Sequence, residues 1–227
     1  MRLRPGAVRH VEDLGSIGSA ARDANAEAGW QAYQRGDLES ARTSLAAAAG
    51  ASGAHPWVHY ALGQANYGLR QYRDAVTEWQ KVLAAAPEFE PVYFDLVDGC
   101  LQLKDYDLAM RTIRTATTRW PKDAEVFNAL GVVQVARGAL DDAIKSFGEA
   151  IATAPKDGVG YYNLARAHDL RYVRSRRYVT TTRTWFESKP DKDAAIENYN
   201  RYLSIGGPFE KSAREALTRL GWTASPQ

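Results

Sequence analysis

His55 and His59 stand four residues apart, the spacing that brings two imidazoles to one metal ion on a single helix turn. Pro56 between them marks a helix start and leaves His55 outside it, and no HExxH glutamate follows. The pair therefore reads as a loop residue and a packing residue, not as metal ligands. Cys100 is the single cysteine, which excludes an intrachain disulfide and a CxxC zinc pair. No histidine lies near it in sequence to activate it, so it reads as a buried, inert thiol, and His168 likewise reads as structural. Asp141 and Asp142 fall at a helix start, where carboxylates complement the helix dipole. No GxxxxGK[ST] and no strand-following GxGxxG is present to cradle phosphate. The expectation is no catalytic residue, no metal and no cofactor: the chain is not an enzyme.

A different chemistry is offered by RYVRSRRYVTTTRTWFESKP, Arg171–Pro190, dense in arginine, hydroxyl and aromatic side chains. Arg171, Arg174, Arg177, Tyr178 and Trp185 are of the types that dominate protein contacts, and form one candidate contact set. The three- and four-residue spacing of Arg171, Arg174 and Tyr178 predicts that a helix runs on through them. Thr180–Thr182 predict a turn, and Trp185 with Phe186 the return. Three readings stand for this arm. It is a solvated extension whose Trp185 and Phe186 pack back on a terminal helix, a dedicated contact for a protein, or a surface for RNA or an anionic membrane. The formal net charge of +2 argues against a nucleic-acid surface over the whole molecule.

The elements that position these residues declare themselves by a period. The chain has 227 residues, 45% hydrophobic and 25% charged, an ordinary soluble composition with no apolar run long enough for a membrane span. Ala41, Ala75, Ala109 and Ala143 recur at intervals of 34 residues, in GDLESARTSL, RQYRDAVTEW, KDYDLAMRTI and GALDDAIKSF. A large apolar residue follows each alanine by four (Leu45, Trp79, Ile113, Phe147). Gly29, Gly63 and Gly131 recur with the same period, with Val97 in the third unit, as do Pro87, Pro121 and Pro155. Small residues in both columns let two helices approach, and each proline ends the second one.

These phrases and this period resemble the tetratricopeptide repeat family, whose unit is two antiparallel helices joined by a tight turn. The resemblance implies an all-α, right-handed α-solenoid of stacked antiparallel helix pairs with a C-terminal capping helix. On this sequence it places an N-terminal tail or cover at 1–16. Five pairs follow over 17–207, at about 22–55, 56–89, 90–123, 124–157 and 158–207, and the capping helix spans 208–222. VGYYNLARAHDL matches a fifth first helix, but Ala195 arrives 18 residues late, so the arginine-rich stretch (about 171–190) is an insertion between the two helices of the fifth pair.

The resemblance further implies a concave groove lined by the first helices that receives a peptide or partner helix. Its columns fall here on Trp30, Tyr33, Trp57, Tyr60, Gln64, Tyr67, Phe94, Asp98, Leu101, Asn128, Tyr162 and Arg166, with Glu125 and Val132. Aromatic anchors concentrate in the N-terminal half, and Asp95, Asp98 and Glu125 favour a mildly basic ligand. The Lys, Asn and Arg clamp by which some members hold chaperone tails is absent: its columns carry Ala26, Trp30, Ala61, Pro91 and Asp95. The expected role is a non-catalytic scaffold or adaptor for a protein partner, with self-association through exposed ends left open. The expected compartment is the cytoplasm, or the periplasm or a membrane surface if a leader or anchor precedes this sequence.

Overall fold

The computed structural model describes residues 23–221, and the tail expected over 1–16 lies outside the described residues. Among the described residues the chain forms eleven α-helices and one two-stranded hairpin. In order they are α1 (Ala24–Gln34), α2 (Leu38–Ala49), α3 (Pro56–Gly68), α4 (Tyr72–Ala85), α5 (Pro91–Leu103), α6 (Tyr106–Arg119), α7 (Ala124–Ala136), α8 (Leu140–Thr153), α9 (Gly158–Ser175), β1 (Arg177–Val179), β2 (Thr184–Phe186), α10 (Lys189–Ile205) and α11 (Glu210–Arg219). The starts follow from local chemistry. Asp23, Asp37, Asp123 and Asp157 accept hydrogen bonds from first-turn amides of α1, α2, α7 and α9, satisfying donors the helix leaves open. α3 and α5 open on Pro56 and Pro91, where a missing N–H costs nothing. His55 caps α3, its ring accepting from the Trp57 amide at 3.4 Å.

One turn joins the helices of each of the first four pairs. Gly36, Arg70, Lys104 and Gly138 lie 34 residues apart, with φ of 80°, 62°, 59° and 82°. After each, an amide reaches back five residues: Asp37 to the Ala32 carbonyl, Gln71 to Asn66, Asp105 to Cys100 and Ala139 to Gln134. That is a Schellman closure, in which a left-handed residue reverses the chain. The equivalent position in the fifth pair is Tyr172, which stays helical and buries its ring, so α9 runs on to Ser175.

The chain divides into two compact units between Ala116 and Thr117. In the first, α1 packs on α2, α2 on α3, α3 on α4 and α4 on α5. Leu45, Trp57, Tyr60, Trp79, Tyr93, Leu96 and Ile113 are its largest fully buried side chains. A Cβ on Gly29 would lie 2.6 Å from Leu45 Cγ, and one on Gly63 closer still to the Trp79 indole, so the glycines are required by the approach of the second helix. In the second unit α7 packs on α8, α8 on α9, α9 on α10 and α10 on α11. Gly131 lies against Phe147 in the same way. α11 covers the end of this unit through Ala213, Ala216, Leu217 and Leu220, which join Tyr162, Tyr172, Tyr199 and Tyr202 in one apolar cluster.

The inserted arm departs from its helical expectation after Ser175. Residues 177–186 form an antiparallel hairpin in which Arg177 faces Phe186, Tyr178 faces Trp185 and Val179 faces Thr184. The run YVTTTRTWF is β-branched and aromatic, types that lose rotamer freedom in a helix and suit a pleated strand. Trp185 and Phe186 remain 62% and 49% exposed, so they do not pack back on the terminal helix.

Candidate functional site

The first-helix face of the first unit is organised by two carboxylates on α5. Asp95 accepts from the Tyr60 hydroxyl at 2.5 Å and from Gln64 Nε2 at 2.8 Å, both on α3. Asp98 accepts from the Tyr67 hydroxyl. Burial, together with the charge of Asp95, pushes the Tyr60 and Tyr33 hydroxyls above the usual phenol range. Burial and the bond to Asp98 do the same for Tyr67. All three stay protonated at any physiological pH, and Tyr60 and Tyr67 hold the acids in fixed orientations. Phenols that donate to ionised acids fix negative charge on a surface. They provide neither a nucleophile nor a base within reach of one.

The anchors expected to be open are mostly turned inward. Trp30, Trp57, Tyr60, Gln64 and Phe94 are buried, Trp57 to within 1% exposure. α3 is packed against α2 and α4 and its polar tips reach α5, which leaves it only a narrow free face. Trp30 stacks on Tyr33 at 5.5 Å, and Phe89 meets the Tyr60 ring edge-on at 5.0 Å. Tyr33, Tyr67, Asp98 and Leu101 keep partial exposure and make the accessible part of this face.

In the second unit Asn128 is buried with Asn163, whose Nδ2 donates to it at 3.4 Å, and Tyr162 is buried against Phe209. Arg166 lines a cavity of about 530 Å³ with Asp169, Tyr199, Ser212, Glu215 and Arg219. Burial raises the Asp169 carboxyl although Arg219 and Tyr199 oppose the shift, and the Arg219 contact ties α11 to α9. Second-helix acids hold both half-buried histidines: His59 lies 2.7 Å from Glu78, and His168 lies 2.9 Å from Asp191. Buried Asp191 also accepts from Arg171 and from Ser188. Desolvation opposes its ionisation, but these three donors outweigh it and hold its carboxyl down at about 2. Asp191 is thus a structural anchor at the start of α10. Cys100 is fully buried, and desolvation pushes its thiol up to about 12. Among the described residues no cluster of histidine, cysteine and acidic side chains could hold a metal ion.

The second contact set divides. Arg171 bonds Asp141 and Asp191, and Arg174 reaches the Gly138 carbonyl at 3.4 Å, so both dock the long helix onto its own unit. Arg177, Tyr178 and Trp185 stay out on or beside the hairpin, joined by Arg176, Arg183 and Phe186, which stood outside the candidate contact set. The sequence carried a usable signal for the acid pairs on α5: Tyr60 precedes Asp95 by 35 residues and Tyr67 precedes Asp98 by 31, each close to one period. Polar side chains about one repeat apart on first helices meet.

A tetratricopeptide repeat model matches residues 60–112 and 94–158. No curated protein sequence matches the chain. Among solved structures, MamA from Desulfovibrio magneticus RS-1 (residue 41 to its end) is 22% identical with a TM-score of 0.63, over 83% of this chain and 97% of that one. MamA of AMB-1 is 20% identical with a TM-score of 0.57, over 83% and 94%. A crystal structure of a MamA protein at 16% identity gives a TM-score of 0.63, over 92% and 100%. At these identities the likeness is one of fold.

Proposed function

Because the chain is a tetratricopeptide repeat protein, with stacked helix pairs and no assembled catalytic group among its described residues, we propose that it is a non-catalytic protein-interaction scaffold. The partner lies on the first helices of the first unit. Tyr33, Tyr67, Asp98 and Leu101 meet it, and the network Tyr60–Asp95–Gln64 keeps that surface rigid. The observation that carries this reading is the pair of acids on α5, each held by a tyrosine one repeat earlier in the chain. A surface whose charges are fixed before binding loses little freedom on association. It suits a peptide or helix that brings a lysine or arginine beside an apolar side chain, which Leu101 and the tyrosine rings receive. Trp30, Trp57 and Phe94, buried residues of the implied groove, support this face from below. No helix among the described residues is long and apolar enough to cross a membrane.

The test uses surface positions, since Trp57→Ala would cut into the core. Asp98→Lys and Tyr33→Ala proteins are compared with the parent in quantitative pull-down from the source cells, and the captured partner is then titrated by calorimetry. At least a tenfold loss of affinity with an unchanged unfolding midpoint is expected. Undiminished binding by both variants excludes this face.

A further inference from the structure

The hairpin after α9 carries features that nothing in the stacked helix pairs requires. Tyr178, Trp185 and Phe186 are 51%, 62% and 49% exposed, large apolar rings left in solvent. Arginines lie on two of them, Arg176 over Trp185 at 5.7 Å and Arg177 over Phe186 at 5.2 Å. Between residues 176 and 187 stand three arginines and one acid, Glu187, which already accepts from Tyr172 at 2.7 Å. Arg177 and Arg183 have no carboxylate partner among the described residues. The sheet contains these two strands and no other, so each has one edge of backbone donors and acceptors unmet by a neighbouring strand.

We propose that this hairpin is a docking site for an acidic, extended segment of a partner protein, which adds to it as a further strand. This contact is independent of the one proposed on the first unit. The register supports it. Tyr178 and Trp185 face one way and Arg177 with Phe186 the other, so the alternating side chains of an added strand meet an aromatic pair on one face and a guanidinium on the other. Carboxylates on that strand would complete the charge of Arg177 and Arg183. A second copy would bring arginine rows together. A bilayer would receive the turn first, and the turn is Thr180–Arg183, polar throughout. Stacked bases need free ring faces, and Trp185 and Phe186 each have one taken by a guanidinium.

The test is fluorescence anisotropy on the full chain. The probes are a labelled decamer of alternating Glu and Val, the same decamer with Lys for Glu, and the acidic decamer N-methylated at its three central residues. Phosphatidylserine vesicles and an oligothymidine are run alongside. The acidic decamer should bind at least tenfold more tightly than the other two. Trp185→Ala and the Arg177→Glu, Arg183→Glu double variant should each weaken it tenfold or more without moving the unfolding midpoint, while Asp98→Lys leaves it unchanged. Equal binding of the acidic and basic decamers, no loss on N-methylation, no loss in either hairpin variant, or preference for vesicles or oligothymidine would overturn the proposal.

Discussion

Gly63 lies beneath the Trp79 indole, so closely that a Cβ at Gly63 would overlap Cδ1 and Nε1 of that ring. Gly63→Ala should destabilise the first unit by about 1–3 kcal/mol, the usual cost of overpacking a filled core. Gly148 on α8 is the control: a Cβ there meets nothing within 4 Å, and its φ is not positive. Gly148→Ala should stabilise by about 0.5–1 kcal/mol, because the helix interior loses its most flexible residue. Urea unfolding of both variants decides the matter, and equal shifts would contradict the close approach.

Lys104 and Arg70 hold the left-handed turn position that Gly36 and Gly138 hold in the other pairs. A side chain with a Cβ is strained there, so Lys104→Gly should raise stability by about 0.5–1 kcal/mol, and Gly138→Ala should lower it by about as much or more. Thermal midpoints of the two variants should move in opposite directions.

Asp191 titrates near 2 in the folded protein against 3.8 as its ordinary value. Its folded pKa is depressed, so its contribution is fully present above pH 4 and drains away as pH falls from about 4 towards 2. Asp191→Asn should be less stable at neutral pH. Between pH 4 and 2 it should show a shallower decline of the unfolding midpoint than the parent. Parallel declines would mean that Arg171 and His168 do not hold the ionised form.

Cys100 combines full burial with a thiol pushed up to about 12. Alkylation at pH 8 should therefore follow global unfolding, with a rate that rises with urea exactly as the unfolded fraction does. Rapid labelling of the native protein would refute the burial.

The hairpin should be dispensable for stability. Arg177 and Phe186 face each other as a strand pair, so their Cα atoms are roughly 5 Å apart and two glycines can replace the whole hairpin. The Tyr172 to Glu187 and Ser188 to Ser175 bonds remain to close α9 onto α10. The unfolding midpoint should change by less than a few degrees, while binding of the acidic decamer is lost.

The repeat was legible because its determinants are local and periodic: the alanine column, the glycine column and the helix-ending prolines keep a 34-residue interval. The turn was only half legible, since Arg70 and Lys104 hide a backbone conformation that glycine advertises. The hairpin was missed for a different reason. Arg171, Arg174 and Tyr178 fit a helical spacing, and the β-branched run that ends the helix begins among them. Trp30, Trp57, Tyr60 and Phe94 lie on first helices, but how far each ring turns inward depends on the neighbouring pair. Trp57 and Tyr60 carry no mark in the sequence to distinguish a core ring from an open one.

The glycine and its large counterpart fix how the protein can be recombined. Gly29 with Leu45, Gly63 with Trp79 and Gly131 with Phe147 each match a void on one helix to a bulk on the next, while the third pair carries Val97 and Ile113, both buried, in those two columns. A chimera that exchanged α3 for α5 would set Val97 against Trp79, and one that exchanged α4 for α6 would leave Gly63 facing a smaller isoleucine. The smallest interchangeable module is the helix pair, and a library built by shuffling single helices would be filtered by this one steric match before any partner were offered to it.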